Sequence, residues 1–162
     1  MVSFTAGQIP DVLAAELIEL LQRDQCGSPQ WKFHAGVSYR NLLIYRARDD
    51  EPPFSAKTHT VPPHDLTDQL VAAHLPNGPG SESLRELMQR STTLFDGSSE
   101  VQARRKRGET TATGIWLWGL GKAPALEPFA ERFGKTGAVI TAVDLLRGIA
   151  KLIGWRIVDV PG

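Results

Sequence analysis

Between Gly114 and Val160 two kinds of hydrophobic pattern take turns, and this alternation constrains the fold more than any other feature. Residues 114–119 read as a strand, 125–133 as a helix and 137–142 as a buried strand. A second helix follows, with Leu146, Ile149, Ala150 and Ile153 on one face, started by Thr141 or Asp144 and ended by Gly154. Trp155 to Val160 is the last strand. Strands and helices in this order call for parallel pairing with right-handed crossovers. The first loop of the series holds Gly119-Leu120-Gly121-Lys122. Glycines let backbone N–H groups turn toward an anion, and lysine adds a point charge. The spacing is not that of a Walker loop, and no Ser or Thr follows the lysine. A plain tight turn is the competing reading.

The first half is organised differently. Residues 11–23 place Leu13, Leu17, Leu20 and Leu21 on one helical face. Trp31, Phe33, Ala35 and Val37 alternate as one face of a strand, and Asn41 to Arg46 reads as its neighbour. Residues 47–81 are punctuated by Pro52, Pro53, Pro62, Pro63, Pro76 and Pro79, with only Thr67 to His74 reading as helix. A loop this long in a compact domain is often functional. Ser83-Leu84-Arg85-Glu86 is a capping-box pattern, and Leu84, Leu87, Met88, Leu94 and Phe95 mark the helix behind it. Ser99-Glu100-Val101-Gln102 repeats the start signal, Glu100 is placed to pair with Arg104, and Gly108 ends that helix. The whole reads as an α/β fold: a three-layer domain with a mixed, partly parallel sheet flanked by helices.

A chain of 162 residues fits one domain with its own core. Its 18 basic and 18 acidic residues cancel, so bulk charge points to neither nucleic acid nor membrane. A single cysteine, Cys26, rules out an internal disulfide and fits a reducing cytoplasm. No apolar run approaches the ~18 residues of a membrane span. Residues 1–10 carry neither the charged start nor the apolar stretch of a signal peptide.

Several residues carry candidate chemistry. Pro62-Pro63-His64-Asp65 sets an imidazole beside a carboxylate in a rigid loop. Such a histidine moves protons or donates to phosphate, and the carboxylate orients it or binds a hydroxyl. The alternative is a turn in which Asp65 caps the helix behind it. His59 with His64 lacks a clear third metal ligand. Arg40, at a strand junction, suits a carboxylate or phosphate through paired hydrogen bonds, or is a surface arginine. Arg104-Arg105-Lys106-Arg107 is a solvated helix end meeting the dipole, a nucleic-acid patch, or a run in which one cation faces inward to a substrate anion. Trp116 and Trp118 alternate on a strand, with core packing as the first reading of at least one. Asp144 and Arg147 are spaced to pair on a helix surface. Local signatures of a Ser/His/Asp or Cys/His catalyst are absent.

Four segments together resemble a known family. They are Phe33-His34-Ala35-Gly36-Val37-Ser38-Tyr39-Arg40-Asn41-Leu42-Leu43, Pro62-Pro63-His64-Asp65, Ala112-Thr113-Gly114-Ile115-Trp116-Leu117-Trp118-Gly119-x-Gly121, and Ala138-Val139-Ile140-Thr141-Ala142-Val143-Asp144-Leu145-Leu146-Arg147-Gly148-Ile149-Ala150. In this order, from about Phe4 to the last residue, the chain is similar to the cofactor-independent phosphoglycerate mutases of the archaeal type. That resemblance implies the alkaline phosphatase superfamily, in which an inserted α/β domain interrupts a metal-binding core. On this view residues 1–162 are the single inserted, substrate-holding domain, and the halt after Val160 is a domain border.

The resemblance further implies an isomerase of glycolysis and gluconeogenesis, cytoplasmic, interconverting 3- and 2-phosphoglycerate. Two divalent metal ions, Mn2+ or similar, and a serine that becomes phosphorylated belong to the core and lie outside this chain. The partners implied are phosphoglycerate and that core, with no nucleic acid or membrane, and the fragment by itself is inactive. His64 and Asp65 take the catalytic roles of proton relay and hydroxyl acceptor; Arg40, Arg104 and Lys122 bind substrate. The family's His-Pro-Val-Asn before the arginine helix is replaced here by Ser98-Ser99-Glu100-Val101. Apart from the resemblance, a free-standing binding module for phosphorylated metabolites is the alternative.

Overall fold

The structure is a computed structural model and describes residues 1–24, 28–47 and 52–160. Cys26 lies outside the described residues. The chain divides into two compact units, Met1–Leu120 and Gly121–Gly162.

In the first unit, helix α1 spans Asp11–Asp24 and buries Leu13, Ala14, Leu17, Ile18 and Leu21. Recurrence at three and four residues makes one apolar stripe, which packs on the hairpin that follows. Strands β1 (Trp31–Val37) and β2 (Arg40–Tyr45) pair antiparallel, Trp31 opposite Tyr45 and Phe33 opposite Leu43. Trp31 and Phe33 are buried, but Ala35 and Val37 on the same face are exposed, because the hairpin extends past the core. A register irregularity between His34 and Val37 reshapes its tip, where the Gly36 N–H donates to Asn41 Oδ1 at 3.0 Å.

Helices α2 (Ser81–Asp96) and α3 (Ser99–Lys106) complete this core with Leu84, Leu87, Phe95 and Val101. Helix α2 begins two residues before the capping-box serine. Gly80, at φ 70°, turns the chain into it, and Ser83 Oγ donates back to Gly80 O at 2.8 Å. Helix α3 is capped by Ser98, which accepts from the Val101 N–H. No α-helix forms over Thr67 to His74: Pro63–Leu66 and Val71–His74 are short 3-10 turns. Asp68, at φ 61°, interrupts the stretch between them. Residues 114–119 run without a ladder partner among the described residues. They are held instead by side chains: Ser91 Oγ accepts the Ile115 N–H at 2.9 Å, and Trp116 Nε1 donates to Val61 O at 2.8 Å.

The second unit is a small βαβ piece. Strands β3 (Ala138–Val139) and β4 (Arg156–Ile157) pair in parallel around α5 (Asp144–Leu152), after the one-turn helix α4 (Phe129–Phe133). Pro124 and Pro128 restrict the earlier part of the expected 125–133 helix, and Pro128 stands just ahead of α4. The alternation predicts this parallel pair and its helix. It does not predict their exposure: β3 is half exposed, and Leu145, Leu146, Ile149 and Leu152 of α5 are exposed. Ala150 is the buried residue of this unit among those described. Phe129 packs edge-on against Trp155, whose ring lies where a Cβ on Gly137 would stand. Arg147 pairs with Asp159 at 2.8 Å.

The fold class is α/β. Antiparallel and parallel pairing both occur, in two separate two-stranded sheets among the described residues.

Candidate functional site

The site is built around the tip of the β1–β2 hairpin. Ser38, at φ 53°, ties this tip to the start of α1: its N–H donates to Asp11 Oδ1 at 2.7 Å and its Oγ to Ile9 O at 2.6 Å. Two well-directed bonds across nearly thirty positions fix where Tyr39 and Arg40 stand. The Arg40 guanidinium lies 5.6 Å from the Tyr39 ring centroid, within range of a cation–π contact.

From Tyr39 a chain of ring contacts leads on. Phe4 meets Tyr39 edge to face at 5.6 Å and His64 at 6.2 Å. His64 meets Trp118 at 5.4 Å and 82°. The imidazole stands on the 3-10 turn Pro63–Leu66, whose Leu66 is buried, so the turn is anchored by one side chain and leaves His64 and Asp65 exposed. The nearest His64 Nε2 to Asp65 Oδ1 distance is 4.0 Å. That is too long for a hydrogen bond, so Asp65 does not orient the imidazole. Nor does Asp65 cap an α-helix.

The N-terminal turn connects this series to Arg104. Ala6, Gly7 and Gln8 are consecutively left-handed. Ser3 Oγ accepts the Gly7 N–H and Thr5 Oγ1 accepts the Gln8 N–H. These bonds hold a conformation that Ala and Gln seldom adopt. Gly7 packs closely on Thr110, and Thr110 O accepts from Arg104 Nη2 at 3.4 Å. Arg104 is the withdrawn member of the basic run, its side chain 16% exposed, and it pairs with Glu109 at 3.3 Å. Arg105 pairs with Asp96, and Arg107 with Glu109 and Glu100. The expected Glu100–Arg104 pair is therefore replaced by Glu100–Arg107. The Arg107 hydrogen bond holds the Glu109 carboxyl below its ordinary range, and Glu109 in turn raises the Arg107 guanidinium. With its arginines engaged by carboxylates, the run does not present four free cations to a nucleic acid.

Lys122 stands on exposed, irregular backbone of the second unit. The 125–133 helix expected behind the glycine loop is shortened to α4, which starts only at Phe129. His59 is held in a backbone bridge with Asn77, both N–H groups donating across it. Among the described residues no group of three His, Cys, Asp or Glu side chains is placed to hold a metal ion. No helix among them is long and apolar enough to cross a membrane.

The structure thus brings Arg40 and His64 into one series of contacts, with Asp65 next to His64, and joins Arg104 to it through the N-terminal turn. Phe4 and Trp118 were not expected in the site. The one local signal was the i, i+2 spacing of Trp116 and Trp118, which puts both side chains on the side facing residues 61–64.

Known proteins are similar to this chain in sequence and in fold. A relative from Geobacter sulfurreducens described as a probable 2,3-bisphosphoglycerate-independent phosphoglycerate mutase is 40% identical over the whole chain. A relative so described without "probable", numbered 2, from Methanothermobacter thermautotrophicus is also 40% identical over the whole chain. The chain spans about 39% of the length of each. The solved structure of a cofactor-independent phosphoglycerate mutase from Thermoplasma acidophilum shares the fold, with a TM-score of 0.58 at 20% identity, covering 97% of this chain and 42% of that one. The sequence profile described as 2,3-bisphosphoglycerate-independent phosphoglycerate mutase matches residues 1–99, well over half of the chain and including Arg40, His64 and Asp65. The chain belongs to the 2,3-bisphosphoglycerate-independent phosphoglycerate mutase family.

Proposed function

We propose that residues 1–162 are the inserted, substrate-holding domain of a phosphoglycerate mutase that interconverts 3- and 2-phosphoglycerate. The observation that carries this reading is the continuous series Arg40, Tyr39, Phe4 and His64, in which a cation and an imidazole are held along one set of rings. A phosphorylated hydroxy acid needs such a pair: a fork for carboxylate or phosphate oxygens, and a group that moves a proton at the hydroxyl.

In this reading Arg40 grips the substrate anion, each charge-assisted hydrogen bond contributing roughly 1.5–3 kcal/mol. Arg104 supplies a second cation. His64 relays the proton of the hydroxyl that gives or takes the phosphoryl group, and Asp65 accepts a hydrogen bond from a glycerate hydroxyl. The phosphoryl group itself passes to a serine in the part of the mutase outside this sequence. Holding glycerate meanwhile keeps it from escaping and sets the other hydroxyl in line for return. The described residues do not fit the divalent metals of such an enzyme, because no group of three ligating side chains comes together. On this proposal those metals belong to the catalytic core outside residues 1–162.

The test is turnover of 3- to 2-phosphoglycerate by the complete protein. Arg40→Ala and His64→Ala should each lower kcat/KM by about 100-fold or more. Normal turnover in both variants would remove the site assignment. Tight phosphoglycerate binding by residues 1–162, with no turnover by the complete protein, would instead support a binding module.

A further inference from the structure

Asp65 is too far from His64 to hold it by a hydrogen bond, whereas two aromatic rings stand against the imidazole. We infer that Trp118 and Phe4 are positioning residues for His64, an assignment that rests on the proton-relay role proposed for that histidine.

Three observations support this. First, both rings stand perpendicular or nearly so to the imidazole, Trp118 at 5.4 Å and 82°, Phe4 at 6.2 Å and 70°. Edge-to-face contact is directional, because the positive ring edge is drawn to the negative face, so two such contacts restrict the rotation of the histidine ring. Second, neither ring serves the core. Trp118 is 49% and Phe4 37% exposed, whereas Trp31, Phe33 and Phe95 are all buried. Third, Trp118 sits on a stiff support. The segment before it is fixed by the Ile115 N–H on Ser91 Oγ and by the Trp116 indole on Val61 O. Val61 is joined to His64 through Pro62 and Pro63, whose rings limit the backbone between them. Segments 115–118 and 61–64 are therefore clamped together once by a hydrogen bond and once by the ring pair.

The consequence is an imidazole flanked by two apolar rings, with its side chain still 52% exposed. The flanking rings shed water from part of the ring's surroundings and limit its rotamers. The accessible remainder is what a phosphorylated hydroxy acid would meet.

The test combines structure and kinetics. In NMR spectra of the 162-residue chain, the carbon-bound ring protons of His64 should be displaced by ring currents. Trp118→Ala should move them toward free-histidine positions, and Trp118→Phe should retain most of the displacement. In the complete protein Trp118→Ala should lower kcat about 10- to 100-fold with little change in KM, and Trp118→Phe should restore most of it. Combined with His64→Ala, Trp118→Ala should add almost nothing, because it acts through the same group. Phe4→Leu gives a second, milder variant should Trp118→Ala fold poorly. Unmoved His64 protons in Trp118→Ala, or a double variant slowed by the product of the two single effects, overturns the inference while leaving the role of His64 intact. Normal turnover in His64→Ala would instead overturn that role, and with it the inference.

Discussion

Replacing Ser91 by alanine tests whether residues 114–118 are held by side chains in place of a strand ladder. Ser91 is fully buried on α2, and its hydroxyl makes two bonds: it donates to Met88 O at 2.6 Å and accepts the Ile115 N–H at 2.9 Å. The first loss is minor, because the Thr92 hydroxyl donates to that same carbonyl at 3.2 Å. The second leaves a partly buried N–H with no acceptor, at a cost of about 1–3 kcal/mol. Amide exchange at Ile115 reads this directly: its protection should fall about 5- to 150-fold in Ser91→Ala. Thr92→Val is the control. It removes a hydroxyl whose bond to Met88 O Ser91 duplicates, and it should change stability by no more than about 0.5 kcal/mol. Unchanged protection at Ile115 in Ser91→Ala, or an equal loss in Thr92→Val, would refute the reasoning.

Two further outcomes are expected. Gly137→Ala forces a methyl group into the Trp155 ring, and overpacking of this kind costs about 1–3 kcal/mol. It should show as lost amide protection at Arg156, whose N–H donates to Gly137 O at 3.0 Å, and intact protection there would contradict the contact. Glu109 gives a pH dependence. Because Arg107 lowers its carboxyl pKa in the folded state, its contribution is fully present above the ordinary glutamate value. That contribution is lost as pH falls through the lowered folded value. Glu109→Gln should flatten the acid limb of the stability curve in that window, and an acid limb like that of the parent chain would count against the pairing.

Where pattern and packing coincide, the fold was legible. The leucines of α1 and the alternation of β1 are periodic because one face meets the core, so periodicity finds them. Residues 114–119 show the limit of that reasoning. Alternation reports which side chains share a face, not whether the backbone has a partner strand. Here the partners are Ser91 and Val61, which sequence spacing does not reveal. Thr67 to His74 failed for a local reason, since a left-handed Asp68 cannot sit inside a helix. The histidine and its carboxylate were found by adjacency. The rings around the histidine come from positions 4 and 118, and nothing local joins those two positions.

The basic run shows how far charge alone can be read. A helix C-terminus favours all four cations equally, so the dipole does not distinguish them. Packing does. Val101 is the fully buried residue of α3, and Arg104, three positions on, shares its face and is drawn inward with it. Once there, its guanidinium meets a divided counter-ion, since Glu109 also bonds Arg107. Its Nε is buried and has no hydrogen-bond partner among the described residues. The side chain as a whole is 16% exposed, against 41% for Arg105 and 50% for Arg107. That inward placement, and not the density of positive charge around it, separates Arg104 from Arg105 and Arg107.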